Sequence, residues 1–161
     1  MAEVNRSVLV EFTPDQMFSL VDSVEQYPEF LPWCGSTTLI HRDPTTTRAK
    51  IFINYHGIRQ SLMTENTKRM PVEILLRLVE GPFRSLEGNW RFTDLAGRGC
   101  KIELHLRYEF AGRALDKLIG PVFHHIAGTL VEAFVKRAGQ VYGSNSVNGE
   151  RTDADYGDAT R

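Results

Sequence analysis

Between Arg113 and Tyr142 the apolar residues Leu115, Leu118, Ile119, Val122, Ile126, Leu130, Ala133, Phe134, Ala138 and Val141 recur at steps of three and four. That spacing lays one wide apolar stripe along a long helix, and such a stripe needs a large surface to be buried against. Lys117, Glu132, Lys136, Arg137 and Gln140 fall mostly off the stripe, and the late Lys136 and Arg137 suit the negative end of the helix dipole. Gly143 is the expected stop. Gly120-Pro121 interrupts the pattern near its start. A proline in a helix interior removes a donor and crowds the preceding turn, so the pair predicts a kink or two abutting helices. In the second case Arg113–Ile119 is a separate short element that could swing as a gate, and Pro121 starts the main helix.

Upstream the chain supplies such a surface. Val4 to Phe12 alternate as a first strand. Thr13-Pro14-Asp15 opens a helix with a hydroxyl cap, proline at the first position and an early acid, and Met17, Phe18, Leu20 and Val21 form its buried face. A second short helix is expected over Val24 to Phe30. Strands then follow at Thr37–Arg42, Arg48–His56, Arg59–Lys68, Val72–Glu80, Arg84–Asp94 and Cys100–Phe110, separated by Asp43-Pro44, Gly57, Met70-Pro71, Gly81-Pro82 and Ala96-Gly97-Arg98-Gly99. The last strand alternates most cleanly, with Ile102, Leu104 and Leu106 against Lys101, Glu103, His105 and Arg107. The expected fold class is therefore α+β: one strand, two short helices, about six antiparallel strands and the long helix, in one domain over residues 1–143. Residues 144–161 are rich in Gly, Asn, Ser and Asp and read as a disordered polar tail.

Seven strands at roughly 4.8 Å make a sheet about 34 Å across. One helix is only about 10–12 Å wide, so it cannot cover the concave face alone. Either an apolar groove remains between sheet and helix, or large aromatic side chains fill it as core.

Composition excludes other classes. At 161 residues, 42% hydrophobic and 24% charged, the chain has the make-up of an ordinary globular domain. No apolar run reads as a membrane span or as a signal-peptide core. Two distant cysteines give no disulfide framework, so a reducing cytoplasm is the expected location, with at most transient contact with a membrane surface. A net charge of −1 gives no global nucleic-acid footprint, and no DNA partner is expected. Cys34 follows a proline-rich loop and could be exposed, but no basic neighbour adjoins it to activate the thiol. The histidines lack partners at ligand spacing, and the adjacent His124 and His125 point about 100° apart on a helix, so no metal site is expected.

Three stretches are distinctive: Tyr27-Pro28-Glu29-Phe30-Leu31-Pro32-Trp33-Cys34, Gly81-Pro82-Phe83-Arg84-Ser85-Leu86-Glu87-Gly88-Asn89-Trp90-Arg91-Phe92, and Ala133-Phe134-Val135-Lys136-Arg137-Ala138 with Val141-Tyr142-Gly143. With the element order, they resemble the START-like polyketide cyclase/dehydrase superfamily, in the branch shared by coenzyme Q-binding proteins and bacterial ribosome association toxins. The resemblance spans Ala2 to Gly143. It implies a helix-grip fold, with a curved antiparallel sheet around the C-terminal helix and a hydrophobic tunnel between them. It further implies two non-enzymatic activities. One is binding of ubiquinone or another isoprenoid lipid, with no required cofactor, in support of respiration or lipid transport. The other is binding of the large ribosomal subunit to block 70S formation, with an antitoxin protein as a further partner. An aromatic cyclase is a third reading, disfavoured because no acid–base pair can be named.

Candidate ligand-binding residues are Trp33, Tyr55, Met63, Phe83, Trp90, Phe92, Leu104, Leu106, Val122, Phe123, Ile126 and Leu130, with Leu104, Leu106, Trp90 and Phe92 expected to face Ile126 and Leu130. For ribosomal RNA, Arg84, Arg91 and Arg107 are the candidates, although Glu87, Asp94, Glu103 and Glu109 interleave with them and favour a solvated mixed face.

Overall fold

The alternating and helical stretches form the expected elements in a computed structural model that describes residues 1–143. The proposed tail lies outside the described residues. Strand β1 (Ala2–Val10) leads to α1 (Pro14–Asp22) and a 3-10 segment (Val24–Glu29). Six strands follow: β2 (Cys34–Arg42), β3 (Thr46–Tyr55), β4 (Ile58–Arg69), β5 (Glu73–Glu80), β6 (Phe83–Asp94) and β7 (Cys100–Phe110). The chain then enters α2 (Arg113–Ala138). Each strand pairs antiparallel with its sequence neighbour except β1, which closes on β7 in the order β1-β7-β6-β5-β4-β3-β2.

Local chemistry sets the boundaries. The Thr13 hydroxyl accepts from the Gln16 amide at 3.1 Å, and Gln16 accepts from the Thr13 amide at 2.9 Å, a reciprocal capping box at the start of α1. Gly88 lies where β6 crosses β7: a side chain there would sit 2.3 Å from the His105 carbonyl oxygen and 2.7 Å from Leu106 Cδ2. The absent Cβ lets the Leu106 side chain lie over β6, inside the bend of the sheet.

Every even-numbered residue from Cys100 to Phe110 is buried, and the odd ones face outward. The stripe of α2 is buried through Ile119, Phe123, Ile126, Ala127, Val131, Phe134 and Ala138. The helix packs on β7, β1 and α1. Arg6 donates through Nε to the Gly128 carbonyl at 3.2 Å, Tyr108 shares a hydrogen bond with His124 Nδ1, and Arg137 reaches Glu29 at 2.9 Å. These contacts tether the helix at three points between its middle and its C-terminal end.

Several expectations change. Gly120-Pro121 does not divide the helix: α2 runs unbroken through both residues. Pro121 points to solvent, while Ile119 and Leu115 pack into the core on the other side, and that burial offsets the roughly 3 kcal/mol an interior proline costs. The short swinging element therefore does not exist as a separate unit. The α-helical part of α2 ends at Ala138, and the chain winds on as a wider π turn over Gly139–Gly143, the last of the described residues. β1 starts at Ala2 and ends at Val10, leaving Phe12 free to pack on Tyr142 at 6.2 Å. Arg113–Gly143 is in fact long and apolar enough to cross a membrane by length and composition, one 18-residue window of it reaching a mean hydropathy of 1.4. Its stripe is nonetheless the gripped surface of the domain core.

Candidate functional site

The helix lies asymmetrically over the sheet. Its buried stripe meets β6 and β7, where Trp90 stacks parallel to Phe92 at 6.1 Å and meets the edge of Phe134 at 5.4 Å. Phe83 packs on Phe110 and Phe123, both at 4.9 Å, and Tyr108 packs on Phe123 at 4.8 Å. Under this half of the helix the aromatics fill the space as core. On the other side, the flank carrying Val122 and His125 turns toward β3, and His125 stacks on Tyr55 at 6.0 Å. There the concave face of β3–β5 keeps a row of half-buried apolar residues, Ile51, Tyr55, Ile58, Leu76 and Leu78, and α2 faces it with half-buried Val122 and Leu130. Partial exposure of so many apolar side chains on the inner face marks an incompletely filled groove.

Its floor is polar. Thr47, Thr64, Asn66 and Lys68 are buried on the same inner face, and the Oδ1 of Asn66 has no hydrogen-bond partner. An ionic cluster closes the neighbouring end. Asp22 accepts from Thr47 at 2.8 Å and pairs with Lys68 at 3.1 Å, while Arg42 grips both Glu25 oxygens at 2.8 and 2.9 Å. The Arg42 guanidinium holds the Glu25 carboxyl down at about 2. Lys68 is thereby neutralised, so a buried charge at this end finds no free counter-ion.

The ligand candidates divide into three sets. Trp33, Phe83, Trp90, Phe92, Leu104, Leu106, Phe123 and Ile126 are buried members of the packed core. Tyr55, Val122 and Leu130 stand half-buried at the groove. Met63 is on the wrong face: it pairs with Lys50 on β3, and the inner positions of β4 are Leu62 and Thr64. Asn66, Leu76 and Leu78 were missed. Asn66 could have been found, because alternation from Leu62 through Thr64 to Lys68 places it inside. Cys34 is buried rather than exposed, and burial pushes its thiol up to about 11; the same cause takes Cys100 to about 12. Neither is a nucleophile at neutral pH. Among the described residues no group of three metal-ligating side chains comes together.

The three candidate arginines are exposed or half-exposed on the outer side of β6 and β7, and glutamates neutralise each one. Arg84 pairs with Glu109 at 3.5 Å and Arg91 with Glu73 at 3.0 Å. Arg107 lies between Glu3 at 3.2 Å and Glu87 at 3.9 Å. A polar hollow of about 310 Å³ beside Arg91 is lined by Asn5, Ser7, Asn89, Glu103 and His105. A larger one, about 560 Å³, opens on the outer side of β2–β4.

A seven-stranded antiparallel sheet curved around one C-terminal helix defines a START-like helix-grip domain. The chain belongs to the polyketide cyclase/dehydrase and lipid transport family, whose sequence profile matches residues 10–135. It is 39% identical to the ribosome association toxin RatA of Vibrio cholerae, over 89% of this chain and 99% of that protein. It is 27% identical to a mitochondrial coenzyme Q-binding protein homologue of Xenopus laevis, over 90% of this chain but 61% of that protein. The aromatase/cyclase ZhuI of Streptomyces sp. R1128 shares the fold, with a TM-score of 0.77 over 91% of this chain and 99% of the other, at 15% identity.

Proposed function

We propose that this protein is a ribosome association factor that binds the large ribosomal subunit and limits its joining to the small one. The observation that carries this reading is the 39% identity to a ribosome association toxin over 99% of that relative's length. The role proposed is one of binding, as the name of that relative describes it, and burial of both cysteine thiols leaves no thiolate nucleophile to suggest otherwise. Added to a ribosome preparation at micromolar concentration, the purified protein is expected to co-sediment with large subunits and to lower the 70S fraction, with binding that weakens as salt rises. Sedimentation profiles indifferent to the protein would overturn the proposal.

A second reading, binding of an isoprenoid quinone, is favoured by a different observation: an apolar groove whose floor holds an amide oxygen without a partner. A buried acceptor left unmade costs free energy that a hydroxyl donor recovers; the reduced quinol form of such a ligand carries one, whereas the oxidised ring offers only acceptors. Burial of a prenyl tail at roughly 0.8 kcal/mol per CH₂ would supply the affinity. Lipid extraction of the purified protein followed by mass spectrometry is expected to yield quinone, and Asn66→Leu should reduce the amount retained about tenfold while the protein stays folded. Protein free of quinone when isolated from quinone-containing cells would remove this reading.

A further inference from the structure

We infer that the hollow on the outer side of β2–β4 is a nucleobase-stacking site through which the protein holds an unpaired stretch of ribosomal RNA. The register builds the site. Phe52 on β3 lies between Ser36 on β2 and Ser61 on β4, so short side chains flank the aromatic ring on both sides. In the next row Asn54 pairs with Arg59, and on the other side Lys50 holds its ammonium 5.4 Å from the centre of the Phe52 ring. All of these but Lys50 line the hollow of about 560 Å³.

Charge separates this place from the rest of β3–β7; on β1, Arg6 also lacks a carboxylate among the described residues, but it is bound to the Gly128 carbonyl of α2. Among the described residues on β3–β7, every arginine and lysine except Lys50 and Arg59 has a carboxylate no farther than 3.8 Å. A phosphate at the β6–β7 arginines would have to displace a glutamate and stay close to its negative charge, a modest handicap at these exposed pairs that Lys50 and Arg59 do not carry. Lys50 and Arg59 retain their charge for a partner, and they flank the half-exposed aromatic ring. An aromatic face with adjacent cations and short amide and hydroxyl groups is the chemistry that holds unstacked bases: the ring takes the base, the cations take the backbone, and Asn54 reaches the base edge. A duplex would keep its bases from the ring, so the occupant is single-stranded. Phosphate contacts alone would leave Phe52 without a role.

The inference rests on the ribosome reading and deepens it by naming the contact. Two assays test it on the full chain: co-sedimentation with purified large ribosomal subunits, and fluorescence anisotropy with a labelled 12-nucleotide oligouridylate. Phe52→Leu is expected to weaken both by about tenfold. Lys50→Gln/Arg59→Gln is expected to weaken both and to flatten the salt dependence by about two phosphate contacts. Arg91→Gln/Arg107→Gln should change neither. Circular dichroism checks that each variant is folded, and the polar double variant serves if Phe52→Leu is not. Wild-type protein that ignores the subunits would refute the ribosome reading itself. Subunit binding that survives both the Phe52 and the Lys50/Arg59 changes would overturn this site alone. Loss of subunit binding in these variants, with no affinity of the wild type for the oligonucleotide, would also overturn it and place a ribosomal protein on this face.

Discussion

Phe134→Ala should destabilise the domain by about 3–5 kcal/mol, the range for removing a large buried aromatic. Phe134 is 1% exposed, and three other aromatic rings converge on it. Tyr27 and Phe30, from the 3-10 segment and its end, each meet it at 5.4 Å, and Trp90 of β6 meets it at the same distance from the sheet side. Truncation would leave a void that these rings cannot all close, because Tyr27 is held by the hydrogen bond from its hydroxyl to the Val21 carbonyl and Phe30 by Arg137, 5.0 Å from its ring centre. Leu118→Ala on the same helix is the control. Leu118 is 60% exposed, and its loss should move stability by no more than about 0.5 kcal/mol. Urea unfolding followed by circular dichroism gives both values. A cost at Phe134 below about 1.5 kcal/mol would mean that the helix is not gripped where the aromatic contacts place it.

The same convergence explains what the sequence made legible. β7 could be read residue by residue, because one side is sealed under α2 and the other is wet, so polarity alternates with the backbone period. The α2 stripe was legible for the equivalent reason at helical period. β4 misled because its inner positions, Thr64, Asn66 and Lys68, are polar, so the apolar Met63 looked like the inward residue. That inversion is tolerated at Lys68 because Asp22 and Thr47 arrive from other elements, contacts 46 and 25 residues apart in the chain. Pro121 misled because a proline is a strong local signal, while the burial that overrides it is tertiary. The neutralisation of Arg84, Arg91 and Arg107 required the strand register, since their glutamate partners lie mostly on neighbouring strands.

The second large effect concerns the buried ion pair. Asp22 is the last residue of α1, where a negative charge opposes the helix dipole, so it is placed there for what it contacts. Its carboxylate accepts from Thr47 at 2.8 Å and from Lys68 at 3.1 Å, with Arg42 at 3.8 Å. Lys68 is 6% exposed and has no other carboxylate within ion-pair distance among the described residues. Asp22→Ala would leave its ammonium buried without a counter-charge, and the expected loss is about 3–5 kcal/mol. Lys68→Met should cost less, because Asp22 keeps Arg42 and Thr47 and its side chain is 17% exposed. In the double variant Asp22→Ala/Lys68→Met neither charge is stranded, so stability should recover most of what Asp22→Ala alone removes. Equilibrium unfolding of the four proteins closes the cycle. A double variant as unstable as the sum of the single ones would show that the pair does not couple across the inner face. The polar end of the groove would then owe its form to packing rather than to charge.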